Sequence, residues 1–267
     1  MKSNYRYIVK AFMAMAVIAG TTSCDDFLDR EPMSSISPET YYSTAAQLEA
    51  NLNDEYPNVL PSFGQWTYGI FGEDKGTDNQ IEVNANDRYT QDRWKVPHSE
   101  SDNWKFERIY RINFFLSEAL PKFGEDMSGS QNTISGSVAT IKHYIGEMYF
   151  LRAYEYFKKL QLFGDFPIID QPLADEMEAL REASKRFPRN EVARFIISDL
   201  DKAYAYMSDV DMATTRINKD AAMLVKSRVA LFEATWLQNF KGTAFVPGGE
   251  GWPGASLHNN YQYPSGN

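Results

Sequence analysis

Cysteine is almost missing from this sequence, because Cys24 is the single one among 267 residues. A chain with one cysteine forms no internal disulfide and no zinc site built from several thiolates. Histidine is scarce as well: His98 and His258 lie in predicted loops, and His143 comes four residues before Glu147 on a predicted helix. One histidine and one carboxylate make half of a metal site at best. We therefore expect an ordinary intrahelical pair at this position and no metal site.

Sequence motifs of the common enzyme classes are also missing. The chain has no Gly-x-Ser-x-Gly elbow, no Walker loop and no dinucleotide-binding fingerprint. The glycines between Gly248 and Gly251 have no predicted strand before them and no helix after them. The adjacent carboxylates Asp25 and Asp26 lie in a predicted loop, and their adjacency says nothing about the separation that glycoside hydrolysis requires. We expect a protein that is not an enzyme and that uses no cofactor.

Positive charge is in deficit, with 27 Lys and Arg against 36 Asp and Glu and a formal net charge of −9. Removing residues 1–23 takes away Lys2, Arg6 and Lys10 but no acid, which leaves 24 minus 36, or −12. Such a chain repels phosphate backbones and anionic lipid headgroups. We expect no nucleic-acid partner, and no polyanionic polysaccharide unless the fold creates a local basic patch.

Long hydrophobic runs are absent apart from a short one, Ala11 to Ala19, which follows those basic residues. The run is too brief to span a bilayer but is typical of a secretory signal. Ser23 and Cys24 follow it, and a small residue before a cysteine at this point is typical of a lipoprotein cleavage site. We therefore predict a signal peptide over 1–23, lipidation of Cys24 and a tether over 24–36. The alternative is an ordinary secreted protein with one free thiol.

Apolar periodicity predicts an all-α fold. Two short helices or one kinked helix are expected between 37 and 56, where Thr44 and Gln47 form a capping box and Pro57 ends the helical stretch. Further helices are expected from 101 or 102 to 123, from about 190 to 207 and from 219 to 240, and the charged stretch 174–189 is predicted to be partly helical.

The stretch from Ile141 to Asp170 is predicted to be the spine of the core. Its apolar residues cover nearly every direction around a helix axis, so other elements must enclose it. Gly164 is predicted to end the helix near Phe163. Continuing the apolar stripe reaches Arg152, whose buried guanidinium requires a carboxylate or several carbonyls as partners. Glu155 or an acid from another helix is expected to supply them.

Four segments together resemble the SusD/RagB family of surface nutrient-binding lipoproteins. The most specific segment is GEMYFLRAYEYFKKLQLFGDFPII, from Gly146 to Ile169, in which Met148 departs from the alanine usual in the family. EVARFIISDLDKAY, KDAAMLVKSRVALFEATW and the start CDDFLDREP resemble further family elements in the family's order. The segment EVARFIISDLDKAY contains Asp199, which is therefore another candidate partner for Arg152.

The resemblance implies a tetratricopeptide-like helical repeat, an α-solenoid, with long irregular loops. It also implies a non-enzymatic lipoprotein, anchored on the surface of the outer membrane, that binds oligosaccharide and delivers it to a SusC-like TonB-dependent transporter. Family members are typically about twice as long, so residues 37–267 are expected to be the N-terminal helical domain of a truncated chain. The alternatives are a peptide-binding lipoprotein of the RagB branch and a helical-repeat scaffold that binds only proteins.

Residues 62–100 are predicted to form a long ordered loop, because they contain several glycines and few periodic apolar positions. Sugar rings pack their CH faces on aromatic rings, while planar polar side chains bind their hydroxyls. This loop combines both kinds of side chain away from any helical stripe. The predicted ligand-binding residues are Trp66, Tyr68, Asn79, Tyr89, Asp92 and Trp94. The alternative is that these aromatics only pin the loop onto the helices.

Overall fold

The computed structural model describes residues 41–61, 80, 103–124, 126–208, 212 and 215–264. The chain divides into two units, Met1–Tyr41 and Tyr42–Asn267, and the helices described here belong to the second. The described residues contain no strand; isolated β-bridges join Thr44 to Ser135 and Phe166 to Phe187. They form six α-helices: α1 (Ala45–Val59), α2 (Glu107–Phe123), α3 (Val138–Phe163), α4 (Met177–Ala183), α5 (Arg189–Tyr206) and α6 (Lys219–Asn239).

The long helices alternate in direction and stack side by side. Helix α3 lies at the centre, packed against α1, α2 and α5, and α6 packs mainly against α5. The first helices of successive antiparallel pairs, α1, α3 and α6, begin at residues 45, 138 and 219. This is the stacking of a helical repeat, but its long connectors hide the period of about 34 residues that marks tetratricopeptide repeats in a sequence.

Helix α3 is the predicted spine of the core. Ile141, Ile145 and Met148 are completely buried, and the helix ends at Phe163 as expected. Gly164 follows with a φ of +69°, a backbone conformation that favours glycine. Val138, the first residue of the helix, is 39% exposed. The remaining buried apolar residues of α3 are Tyr144, Tyr149, Phe150, Leu151, Ala153, Tyr156, Phe157 and Leu160.

Helices α3 and α5 approach most closely at Gly146. A Cβ atom on this residue would lie 2.8 Å from the backbone nitrogen of Met207 and 2.9 Å from the carbonyl oxygen of Ala203. Because backbone atoms cannot swing aside as a flexible side chain can, any larger residue would force the two helices apart. The glycine of the signature segment is therefore a packing requirement.

Arg152 has the partner that the sequence suggested on a second helix. Its Nε and Nη2 donate to the two carboxylate oxygens of Asp199, at 2.6 and 2.9 Å, and its Nη1 donates to Asn113 Oδ1 at 2.9 Å and to Asp170 O at 3.0 Å. Glu155, the other candidate, lies 3.3 Å from Lys159 Nζ instead. The guanidinium thus joins α3 to α2, α5 and the segment that follows α3.

Two predicted features of the first helices differ in the structure. The capping box of Thr44 and Gln47 is confirmed, but α1 continues through Pro57 to Val59. A proline in the last turn keeps a helical φ and removes only one backbone hydrogen bond, so it does not end the helix at once. Helix α2 begins at Glu107, later than predicted, and Phe106 occupies its N-cap position.

The spacing of the apolar residues in α6 predicts that one stripe points inward, formed by Ala221, Val225, Val229, Phe232 and Trp236, and this prediction is only partly correct. Val229 is buried as expected, but the other fully buried positions are Ala222 and Glu233. Glu233 is drawn inward by an ion pair with Arg189 of α5, which turns the buried face away from the apolar stripe. The opposite face of α6 exposes Leu231, which is 66% accessible.

No helix within the described ranges is both long enough and apolar enough to cross a membrane. The predicted signal peptide, the tether and Cys24 lie outside the described residues, so the proposed division into 1–23, 24–36 and 37–267 stays a prediction.

Candidate functional site

A cleft of about 490 Å³ lies where the end of α3, the start of α5, the end of α6 and the C-terminal segment meet. We call it the tryptophan cleft. The residues of its lining that matter most for its chemistry are Asp165, Arg186, Arg189, Trp236, Phe245 and Trp252.

Asp165 fixes one wall of the cleft. The turn at Gly164 places its carboxylate where it accepts hydrogen bonds from the Arg189 backbone N–H at 2.9 Å and from Trp252 Nε1 at 2.7 Å. Burial raises the pKa of Asp165, although these N–H groups oppose the shift by favouring the charged form. The carboxylate ties the end of α3 to the start of α5 and to a residue 87 positions later.

Arg189 and Glu233 form the floor of the cleft. Arg189 Nε lies 3.0 Å from Glu233 Oε1, its Nη2 lies 2.9 Å from Oε2, and both side chains are buried. Burial raises the pKa of Glu233, and the hydrogen bonds from Arg189 partly offset this shift. The guanidinium also lies 4.1 Å from the centre of the Trp236 ring, a favourable cation–π contact. The positive charge of Arg189 is therefore already balanced within the protein.

The rim of the cleft remains accessible. Phe245 is 62% exposed, and Trp236 Nε1 holds its carbonyl oxygen with a hydrogen bond of 3.1 Å. Arg186 is exposed and lies 4.6 Å from the centre of the Trp104 ring. Phe245 and Arg186 both line the cleft, and an aromatic ring together with a planar donor is the combination that binds a sugar ring and its hydroxyl groups.

The C-terminal segment builds a whole wall of this cleft, which the sequence did not predict. It consists of turns and a 3-10 helix, Pro253–Ser256, and Trp252 within it is only 5% exposed. A Cβ on Gly254 would lie 2.2 Å from the Trp252 ring, so the glycine makes room for the indole. Tyr261 accepts a hydrogen bond from Asn190 Nδ2 at 2.8 Å, which fastens the segment to α5. The sequence signal that could have indicated this wall is the alternation of aromatic residues with glycines in the C-terminal segment.

The site residues predicted from the sequence cannot be placed in this cleft or elsewhere. Trp66, Tyr68, Asn79, Tyr89, Asp92, Trp94 and Cys24 all lie outside the described residues, so the loop platform and the lipid attachment stay predictions.

His143 and Glu147 form the expected intrahelical pair, with 3.0 Å between Nε2 and Oε1. Both oxygens of Glu147 also accept from Arg216, at 2.8 and 2.6 Å, and Tyr56 OH donates to one of them at 2.8 Å. Burial and the charge of Glu147 raise the pKa of Tyr56, so the phenol keeps its proton. These contacts assign the pair to a structural network between α1 and α3.

The tautomer of His143 follows from its neighbours. Its Nδ1 accepts from the Ser208 backbone N–H at 3.2 Å, so Nε2 carries the proton and donates toward Ile217 O at 3.0 Å. In the part of the chain that the structure describes, no group of three or more His, Cys, Asp or Glu side chains is arranged to hold a metal ion.

The stacked antiparallel helices define a helical-repeat protein. The SusD-like family described as "Starch-binding associating with outer membrane" matches residues 26–231, and the chain belongs to this family. The family assignment made from the signature segments is thus confirmed, as is the all-α, tetratricopeptide-like fold.

Individual relatives agree with this assignment. SusD-like protein P2 of Formosa agariphila is 25% identical over 253 residues, which are 90% of this chain and 46% of that protein. The chain spans about half the length of the curated relatives it matches.

Solved structures share the fold. A SusD-like protein from Bacteroides fragilis has a TM-score of 0.50 at 20% identity and covers 79% of this chain and 39% of its own. Surface glycan-binding protein A from Bacteroides uniformis has a TM-score of 0.50 at 18% identity, covering 73% and 43%.

Proposed function

We propose that this protein binds oligosaccharide nutrients at the cell surface and delivers them, without catalysis, to a SusC-like TonB-dependent outer-membrane transporter. Membership of the starch-binding, outer-membrane family supports the class of cargo. The observation that carries the proposal is the tryptophan cleft, which combines aromatic rings with hydrogen-bonding side chains on a rigid support.

The dimensions of the cleft suit a short oligosaccharide. Its volume of about 490 Å³ falls within the range of about 300–1,000 Å³ that is usual for small-molecule sites. Arg189 bonds to Asp165 through its backbone N–H and to Glu233 through its guanidinium. These bonds fix the walls of the cleft before a ligand arrives, which lowers the entropic cost of binding. The exposed rim, with Phe245 and Arg186, supplies the contacts to cargo.

Phe245→Ala is expected to weaken the binding of whichever oligosaccharide is cargo by about tenfold, because a stacking contact contributes about 0.5–1.5 kcal/mol beyond the apolar area it buries. Titration calorimetry with a panel of neutral oligosaccharides and short peptides measures this. Leu231→Ala is the matched control, since Leu231 is equally exposed at 66% but lies on the outer face of α6. Tight peptide binding with no sugar binding would replace the glycan proposal with the RagB-type alternative.

The loop platform predicted from the sequence has a separate test. Trp66→Ala and Trp94→Ala are each expected to weaken sugar binding without changing the melting temperature. If both variants keep the wild-type affinity, or lose affinity only together with stability, the loop does not contact cargo. Run beside Phe245→Ala, these titrations show whether the loop and the cleft both contribute to one binding surface.

Attachment to the outer membrane is proposed to run through a lipid on Cys24, with the following acids Asp25 and Asp26 at the start of a tether. Co-purification of a TonB-dependent transporter with this protein from solubilised outer membranes tests the partnership. Recovery of the protein alone under conditions that keep other membrane complexes intact would argue against it.

A further inference from the structure

We propose that Arg186 makes the tryptophan cleft selective for sugars that carry an anionic substituent, either the carboxylate of a uronic acid or a sulfate ester. The inference rests on the proposed glycan-binding function and adds the chemical class of the cargo.

The Arg186 guanidinium is exposed at the rim of the cleft and lies 4.6 Å from the centre of the Trp104 ring. Among the described residues it forms no ion pair within 4.0 Å and donates no side-chain hydrogen bond. Among the residues that line the cleft, Asp165 is the acid that interacts electrostatically with the Arg186 guanidinium. Its carboxylate already accepts hydrogen bonds from Arg189 N and Trp252 Nε1.

The position of Arg186 is fixed before any ligand arrives. His258 Nε2 donates to its carbonyl oxygen at 2.9 Å, and Phe187 exchanges two backbone hydrogen bonds with Phe166, at 3.1 and 3.2 Å. Trp104, which supports the side chain, packs edge-on against Phe163 and Phe166 with 4.9 Å between ring centres. The guanidinium therefore loses little freedom when it binds.

The chemistry of this arrangement favours an anion. A guanidinium presents several N–H donors in one plane, which match two oxygens of a carboxylate or sulfate, and it retains its charge at every physiological pH. The other cation of the cleft, Arg189, is paired with Glu233, whereas Arg186 has no described carboxylate within ion-pair distance. Asp165 supplies a nearby negative charge, but its oxygens accept from Arg189 N and Trp252 Nε1 and leave the N–H donors of Arg186 available. The net charge of −9 would repel an anionic sugar from most of the protein surface. Attraction of such a sugar is therefore expected only close to Arg186.

The test compares matched ligands on the purified protein by titration calorimetry. One pair is a uronic-acid oligosaccharide and its methyl ester, and the other is a sulfated oligosaccharide and its desulfated form. Wild-type protein is expected to bind the anionic member of one pair about tenfold more tightly than the neutral member, as a charge-assisted hydrogen bond would give. Added salt is expected to reduce that preference.

Arg186→Gln is expected to abolish the preference, because glutamine keeps a planar amide but carries no charge, and to leave the unfolding midpoint unchanged; the readout is the ratio of the two affinities within each pair. Arg186→Lys keeps the charge without the planar fork and should retain only part of the preference. Arg181→Gln is the matched control, since Arg181 is 77% exposed, lies on α4 and does not line the cleft. The pair of ligands that loses its difference identifies carboxylate or sulfate as the recognised group.

Two outcomes overturn the inference in distinguishable ways. If wild-type protein binds both members of each pair equally, or if Arg186→Gln keeps the preference, the anion selectivity is wrong while glycan binding stands. If no sugar of either kind binds, the proposed function fails and the inference fails with it.

Discussion

Asp199→Ala is expected to lower the free energy of unfolding by about 3–5 kcal/mol, because it leaves the Arg152 guanidinium buried without its charge partner. Arg152 is 3% exposed and Asp199 is completely buried. Burial alone would lower the pKa of Arg152, but the hydrogen bonds and charge of Asp199 outweigh this effect and raise it. A guanidinium keeps its proton at neutral pH even without an acidic partner, so the variant buries an unpaired charge. Chemical denaturation followed by circular dichroism measures the loss.

The control for this prediction lies on the same helix. Asp201 pairs with Lys226, but it is 55% exposed, so Asp201→Ala is expected to cost less than about 1 kcal/mol. Equal losses in the two variants would mean that burial of the Arg152 network contributes nothing beyond a surface ion pair.

Cys24→Ala is expected to abolish attachment to the outer membrane, because alanine has no thiol to carry a lipid. Cell fractionation and metabolic labelling with a fatty acid measure the effect. Ser23→Ala is the matched control, since it keeps a small residue before the cysteine and should leave attachment intact. A Cys24→Ala protein that still fractionates with outer membranes and incorporates fatty acid would contradict the lipoprotein proposal.

Much of the helical core could be predicted because its signals are local. The apolar stripe of α3, its end at Gly164 and the capping box at Thr44 each depend on residues within a few positions of one another. Asp199 could be named as a partner for Arg152 because a buried arginine requires an acid and the segment EVARFIISDLDKAY resembles a family element with an aspartate at this position. The α6 stripe failed because an ion pair from another helix turned Glu233 inward.

The tryptophan cleft could not be predicted from the sequence. Asp165 and Trp252 are separated by 87 positions, and the C-terminal segment that joins them has no helical or strand period. The shape of this segment depends on Gly254, where a side chain would clash with the Trp252 ring, and on the hydrogen bond between Tyr261 and Asn190 of α5. Only the folded chain shows that this segment lines the same cleft as Arg186 and Trp236.

Hydrogen–deuterium exchange with and without saturating oligosaccharide tests the central proposal, that cargo binds in the tryptophan cleft. Because bound sugar holds the rim closed against local opening, slower exchange is predicted in the peptides that cover 236–257 and 161–165. Helix α2 contributes no residue to the lining of the cleft, so it should exchange at an unchanged rate and serves as the internal reference. Saturating sugar that leaves exchange across 236–257 unaltered would contradict the proposal.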